Sequence, residues 1–211
     1  MAARNGAGWS STTSVPRELS LGPDGRLRIA PIRELAVLRG EHVRVENLKL
    51  APPDGAWVCP LGGDQLEIAV EVRGGEASAV RLHVLSSPDQ RETTVIRYDW
   101  AAGRLSLDTT RSSLNREDEH ESSVQVAGVG TDGMLAAALT EPPFSLGDDE
   151  PLQLRVYVDR SIVEVFANER AAMTSRVYPT RRDSTLVTVA AEGGPCHLVA
   201  ADVWKMGSIW Q

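Results

Sequence analysis

Asp159 and Glu164 stand five residues apart in the run Leu152–Tyr178. Two neighbouring carboxyl groups whose pKa values are pushed apart are the equipment for acid/base cleavage of a glycosidic bond. The surrounding pattern points elsewhere. Asp159, Arg160 and Ser161 interrupt an apolar alternation and so occupy a turn, while Glu164 shares a strand face with Ile162 and Phe166. A carboxylate among apolar neighbours needs a partner. Glu164 is therefore expected to bond an Arg or a backbone N–H and to order the hairpin, and no catalytic residue is assigned.

Other candidates weaken in the same way. Gly128-Val129-Gly130-Thr131-Asp132-Gly133 fits G-x-G-x-x-G, but a dinucleotide site needs a strand before it and a packed helix after it. Here only the short apolar run Met134–Thr140 follows, ended by Pro142-Pro143, so a loop is expected. His42, His83, His120 and His197 are scattered and Cys59 and Cys196 lie far apart, which gives no metal-ligand spacing and no implied cofactor. The run Arg116–Glu121 reads as a solvated loop. Trp9, Trp57, Trp100, Trp204 and Trp210 stand out in a chain with 5 % aromatics. An indole face can stack on a sugar ring, and Trp57, Trp100 and Trp204 are the candidates for it; packing with a satisfied indole N–H is the usual use.

The elements that would position these residues are strands. Leu152, Leu154, Val156 and Val158 alternate with polar neighbours, and the alternation resumes through Ile162–Phe166 and Ala172–Tyr178. Reversals are expected at Asp159–Ser161 and at Asn168-Glu169. Upstream, Val43/Val45, Leu66–Val72, Val80–Val84, Thr93–Trp100 and Gly103–Leu107 repeat the period, with Gly74-Gly75 as a hairpin signal. Downstream, Thr185–Ala190 and His197–Trp204 do the same. Ahead of them lie two short strands, Arg17–Leu21 and Arg26–Ile29, about the turn Gly22–Gly25. One short helix is expected around Ile32–Arg39, from the three-residue spacing of Ile32, Leu35 and Leu38 with Pro31 before it and Gly40 after it. The expected fold is all-β, an antiparallel two-sheet β-sandwich (jelly-roll or concanavalin-like), with residues 1–40 as a leader and 41–211 as the sandwich.

The chain has 211 residues, 22 Lys plus Arg against 29 Asp plus Glu, and a net charge of -7. An acidic surface repels phosphate backbones and argues against nucleic acid as a partner. No run approaches the length of a membrane span, and Met1–Val15 has no apolar core of a signal peptide. A cytoplasmic location is the expectation, or an extracellular one for a piece of a secreted protein.

Val158-Asp159-Arg160-Ser161, Val163-Glu164-Val165-Phe166 and Thr174-Ser175-Arg176-Val177-Tyr178-Pro179 together resemble the C-terminal β-sandwich domain of glycoside hydrolase family 32, the invertases, inulinases and levanases. Pro16–Leu21, Asp24–Leu27 and Pro31–Arg39 resemble the passage by which that family leaves its catalytic propeller, and Thr93–Asp99 one of its sandwich strands. The resemblance implies a stabilising domain whose partner is a catalytic β-propeller, in the same chain or a separate one, with carbohydrate binding and homo-oligomerisation as further roles. The alternative is a free-standing carbohydrate-binding or oligomerisation module. In the family, catalysis is implied to rest on aspartates in N-D-P-N-G and R-D-P and on a glutamate in E-C. None of these motifs occurs here; Arg181-Arg182-Asp183-Ser184 lacks the proline. The chain by itself is therefore expected to be inactive.

Overall fold

A computed structural model describes residues 12–115, 124–127, 133–135, 139–140 and 142–209. The chain runs β1 (Arg17–Leu21), β2 (Leu27–Pro31), a 3-10 helix (Arg33–Leu38), β3 (Arg39–Leu50), β4 (Trp57–Val58), β5 (Gln65–Arg73), β6 (Ala79–Ser86), β7 (Thr93–Asp99) and β8 (Arg104–Arg111). It continues with β9 (Val124–Ala127), β10 (Gly133–Leu135), β11 (Leu139–Thr140), β12 (Leu152–Asp159), β13 (Ile162–Ala167), β14 (Ala171–Arg176), β15 (Leu186–Glu192) and β16 (Cys196–Met206). An eight-stranded sheet in the order β10-β9-β14-β13-β12-β5-β16-β3 faces a six-stranded sheet in the order β11-β8-β7-β6-β15-β4, and β1-β2 form a separate ribbon. All pairings are antiparallel. The all-β antiparallel two-sheet sandwich is the fold.

Alternation builds the core. Leu66, Ile68, Val70 and Val72 of β5 and Leu152, Leu154, Val156 and Val158 of β12 point inward, against Leu82 and Val84 of β6, Ile96 of β7 and Val187 and Val189 of β15, all buried. The residues between them, Glu67, Ala69 and Glu71 on β5 and Gln153, Arg155 and Tyr157 on β12, form the outer face of the eight-stranded sheet. A second, smaller core sits on that face: Ile29, Tyr157, Phe166 and Ala172, with Val15, Leu35 and Met206 packed around them.

The expected short helix is present, while three expectations, about its start, its stop and the glycine pair, need correction. The segment after Pro31 is a six-residue 3-10 helix, Arg33–Leu38, with no buried residue. The three-residue spacing of Ile32, Leu35 and Leu38 is the period of that tighter helix, and β3 claims the chain from Arg39, so Gly40 lies in a strand. Pro31, expected to open the helix, closes β2. Gly74-Gly75 makes no hairpin: β5 belongs to the eight-stranded sheet and β6 to the six-stranded one. The glycines carry the chain between layers, because Leu66–Val72 and Val80–Val84 bury their apolar faces against each other. Gly75 has φ +59, and a Cβ on Gly74 would lie 2.8 Å from the Trp100 ring.

Candidate functional site

The two reversals around β13 are tight. Asp159 pairs with Ile162, leaving Arg160 and Ser161 as the turn, with Arg160 left-handed at φ 53. Its N–H donates to the Asp64 carbonyl at 2.6 Å. Arg176 donates from Nε to the Ser161 carbonyl and from Nη2 to Ser161 Oγ at 3.0 Å, so the Asp159–Ser161 and Thr174–Arg176 sequence motifs meet in one clamp. In the second reversal Asn168 and Glu169 both have positive φ, 44 and 54, and the Arg170 N–H closes on the Ala167 carbonyl. That is the signature of a type I′ turn.

Glu164 is 1 % exposed. Its Oε1 accepts the Val15 backbone N–H at 2.6 Å, and its Oε2 accepts Arg17 Nη2 at 2.9 Å. The same Arg17 nitrogen donates to Thr174 Oγ1 at 2.7 Å, and the guanidinium lies over the Phe166 ring at 5.4 Å. Glu164 and Phe166 thus hold the leader. Asp159 shares the outer face but lies exposed at the hairpin end, so the two carboxylates differ completely in surroundings and Glu164 has both oxygens engaged.

Among the described residues the leader ribbon is latched at one end only. The Ile29 N–H donates outward to the Glu169 carbonyl at 2.7 Å, which makes Leu19↔Ile29 a non-hydrogen-bonded pair. By the same alternation Arg17, Leu19 and Leu21 turn their N–H and C=O groups away from β2, along an edge that no described strand pairs. Leu19, Leu21 and Leu27 share the Ile29 face of the ribbon but extend past the sandwich, at 63, 78 and 46 % exposure.

Beside the latch is a cluster that strand alternation alone would leave in solvent. Glu67 is fully buried. It accepts Arg39 Nε at 2.8 Å and Nη2 at 2.7 Å, and also Arg155 Nη1. Burial raises its pKa, but the hydrogen bonds from Arg39 and Arg155 outweigh that and hold it below the ordinary carboxylate value. Tyr157 is pushed well above its usual range by burial and by the neighbouring negative charge. Glu92, also fully buried, is likewise held low: burial raises it, while Ser184 Oγ at 2.6 Å, Thr180 Oγ1 and N–H, and the Arg181 N–H more than compensate. Only contacts distant in sequence identify these two. Arg181 is closed onto Asp89 and Asp183, so the Arg181–Ser184 run is a bonded loop.

The three tryptophans among the described residues do not converge. Trp57 and Trp100 pack against the main core, Trp100 edge-on to Tyr98. Trp204 lies on the outer face, stacked with His42 at 4.7 Å and under the Arg39 guanidinium at 4.1 Å. Trp9, Trp210, His120 and Arg116–Glu121 lie outside the described residues, as does most of Gly128–Gly133; Gly133 itself opens β10, which pairs antiparallel with β9. Among the described residues no group of three or more His, Cys, Asp or Glu converges as metal ligands would. Cys59 and Cys196 are buried free thiols.

The model of the glycosyl hydrolases family 32 C-terminal domain matches residues 34–205. The chain belongs to that family. It is 29 % identical to a levanase of Bacillus subtilis over 198 residues, covering 88 % of this chain and 26 % of the levanase. It is 40 % identical to a raffinose invertase of Escherichia coli over 199 residues, covering 94 % of this chain and 35 % of the invertase. Among solved structures, an exo-inulinase from Aspergillus awamori superposes with a TM-score of 0.75 at 22 % identity, over 97 % of this chain and 37 % of that one; at that identity the likeness speaks for the fold. The family 32 sandwich thus spans about a quarter to a third of the length of the relatives it matches.

Proposed function

We propose that this family 32 sandwich serves a β-fructosidase, acting on sucrose or fructans, as the stabilising partner of a catalytic propeller, and does no bond cleavage itself. The observation that carries the reading is the half-latched leader. Arg17, Val15 and Ile29 fix it to the sandwich, while its far end offers three leucines and an unpaired strand edge. An exposed apolar row of this kind marks an interaction surface, and an open edge accepts a strand by main-chain hydrogen bonding. The relatives' greater length supports a propeller as the missing surface. The carboxylate oxygens of Glu164 and Glu67 on the outer face are already engaged, by the Val15 N–H and Arg17 and by Arg39 and Arg155, and the covalent route needs a free nucleophile and an acid.

The test is a fructose-release assay. The purified chain incubated with sucrose, inulin or levan is expected to release none, and release is expected when a family 32 propeller is joined upstream of the leader. Turnover by the sandwich alone that is lost in Asp159→Asn or Glu164→Gln would overturn the reading and make the central hairpin an active site.

A further inference from the structure

The outer face of the eight-stranded sheet holds a groove of about 590 Å³ between the sheet and the leader segment that includes Ala30 and Ala36, a size typical of small-molecule sites. Its floor dips because β5 and β16 carry methyl groups there. Ala69 lies between Arg155 of β12 and Asp202 of β16, and Ala200 lies opposite Glu71. Long polar side chains on either side form the rim.

The charges on this rim cancel. Arg33, Arg39, Arg44 and Arg155 line the groove with Glu71, Glu169 and Asp202, and Glu67 lies beneath, bonded to Arg39 and Arg155. A site of balanced charge offers no net attraction to an anion or a cation. The rim is also held in place. Arg44 Nη1 bonds Asp202, Arg155 Nη1 bonds Glu67, and Gln153 Nε2 bonds Glu71 at 3.3 Å. Side chains fixed in this way lose little rotamer freedom on binding, and Gln153 Oε1 and the remaining Arg155 nitrogens stay available beside the floor. Planar amide, carboxylate and guanidinium edges with both donors and acceptors match adjacent hydroxyl groups, which are each donor and acceptor.

We propose that this groove binds a neutral oligosaccharide, lying across Ala69 and Ala200 with its hydroxyls on Gln153, Arg155 and Glu71. The groove needs no propeller; only the choice of a fructose-containing probe rests on the function proposed above. The experiment is isothermal titration of the intact chain with 1-kestose, maltotriose and sucrose 6-phosphate, repeated with Ala200→Phe, which fills the floor, and with Gln153→Leu, an exposed position, each checked for an unchanged melting temperature. Binding of kestose in the millimolar range is expected, weakened on the order of tenfold, about 1.4 kcal/mol, in either variant. Equal binding of maltotriose would uphold the groove while removing support for a fructan ligand. Absence of heat with both neutral sugars, equal affinity in both folded variants, or tighter binding of the phosphate ester would each overturn the proposal.

Discussion

Three buried ionisable groups define the chemistry of single residues here, and each gives a measurable consequence. Removing the Glu164 carboxylate takes the acceptor from the Val15 N–H and leaves Arg17 with Thr174 Oγ1 and the Phe166 ring, so Glu164→Ala is expected to lower stability by about 1–3 kcal/mol in a denaturant titration, with faster proteolysis of the leader. Truncating Arg39 leaves Glu67 buried with Arg155 alone. Fully buried pairs cost about 3–5 kcal/mol to break; Arg39 is partly exposed, so Arg39→Ala is expected to cost about 2 kcal/mol. His83 sets the pH dependence. It lies buried against Thr93 Oγ1, and burial first, then the charges of Arg81 and Arg111, lower its pKa to about 4. Its folded pKa is below the unfolded value near 6.5, so the neutral ring favours the fold above pH 6.5. That stability falls as pH drops through the window from about 6.5 to about 4, by up to about 3 kcal/mol. The depressed carboxylates Glu67 and Glu92 act lower, losing their contribution as pH falls below about 4.5 through their folded values. A His83→Asn variant is expected to show a flat melting temperature between pH 6.5 and 4.5, where the parent declines.

At the scale of elements, what was legible in the sequence is what local periodicity encodes. The strands around Leu152–Tyr178, the two reversals about β13 and the β1-β2 ribbon follow from alternation and turn chemistry within a few residues. The sandwich follows from their number. Glu67 was not legible, because an acidic residue at an outward strand position looks the same whether water or two arginines cover it, and Glu92 was not, because the Thr180–Ser184 loop that covers it comes from 88 to 92 residues away. Arg39 and Arg155 reach Glu67 from 28 and 88 residues away. Gly74-Gly75 misled for the same reason: a glycine pair supplies flexibility, and only the distant pairing of β5 with β12 and β16 decides that the chain changes sheets. The Asn168-Glu169 turn carries its own prediction. Asn tolerates a left-handed backbone, but Glu at φ 54 pays a steric cost of about 1–2 kcal/mol that Gly escapes. The Glu169 carbonyl, not its side chain, holds Ile29. Glu169→Gly is therefore expected to raise stability by about 1 kcal/mol in chemical denaturation, and a loss would show that the side chain contributes something the turn geometry does not.

At the scale of the whole molecule, the sandwich is asymmetric in how it treats apolar surface. Its main core is closed between two sheets, yet the β1-β2 ribbon and the 3-10 helix expose Leu19, Leu21, Leu27 and Val37, the last at 84 %. A residue already in water loses little when made polar, whereas a residue destined for an interface loses its full burial energy only when the partner is present. Changing Leu19, Leu21 and Leu27 together to Ser separates the two cases. For the sandwich alone the melting temperature is expected to stay within error of the parent, since none of the three lies in either core. Joined to a propeller, the same substitutions remove three buried leucines at about 1.5–3 kcal/mol each. They are expected to lower the melting temperature of the joined protein and to uncouple its two unfolding transitions in calorimetry. If the triple variant instead destabilised the isolated sandwich as much as the joined protein, the leucines would belong to this domain's own packing and the ribbon would not be the docking surface.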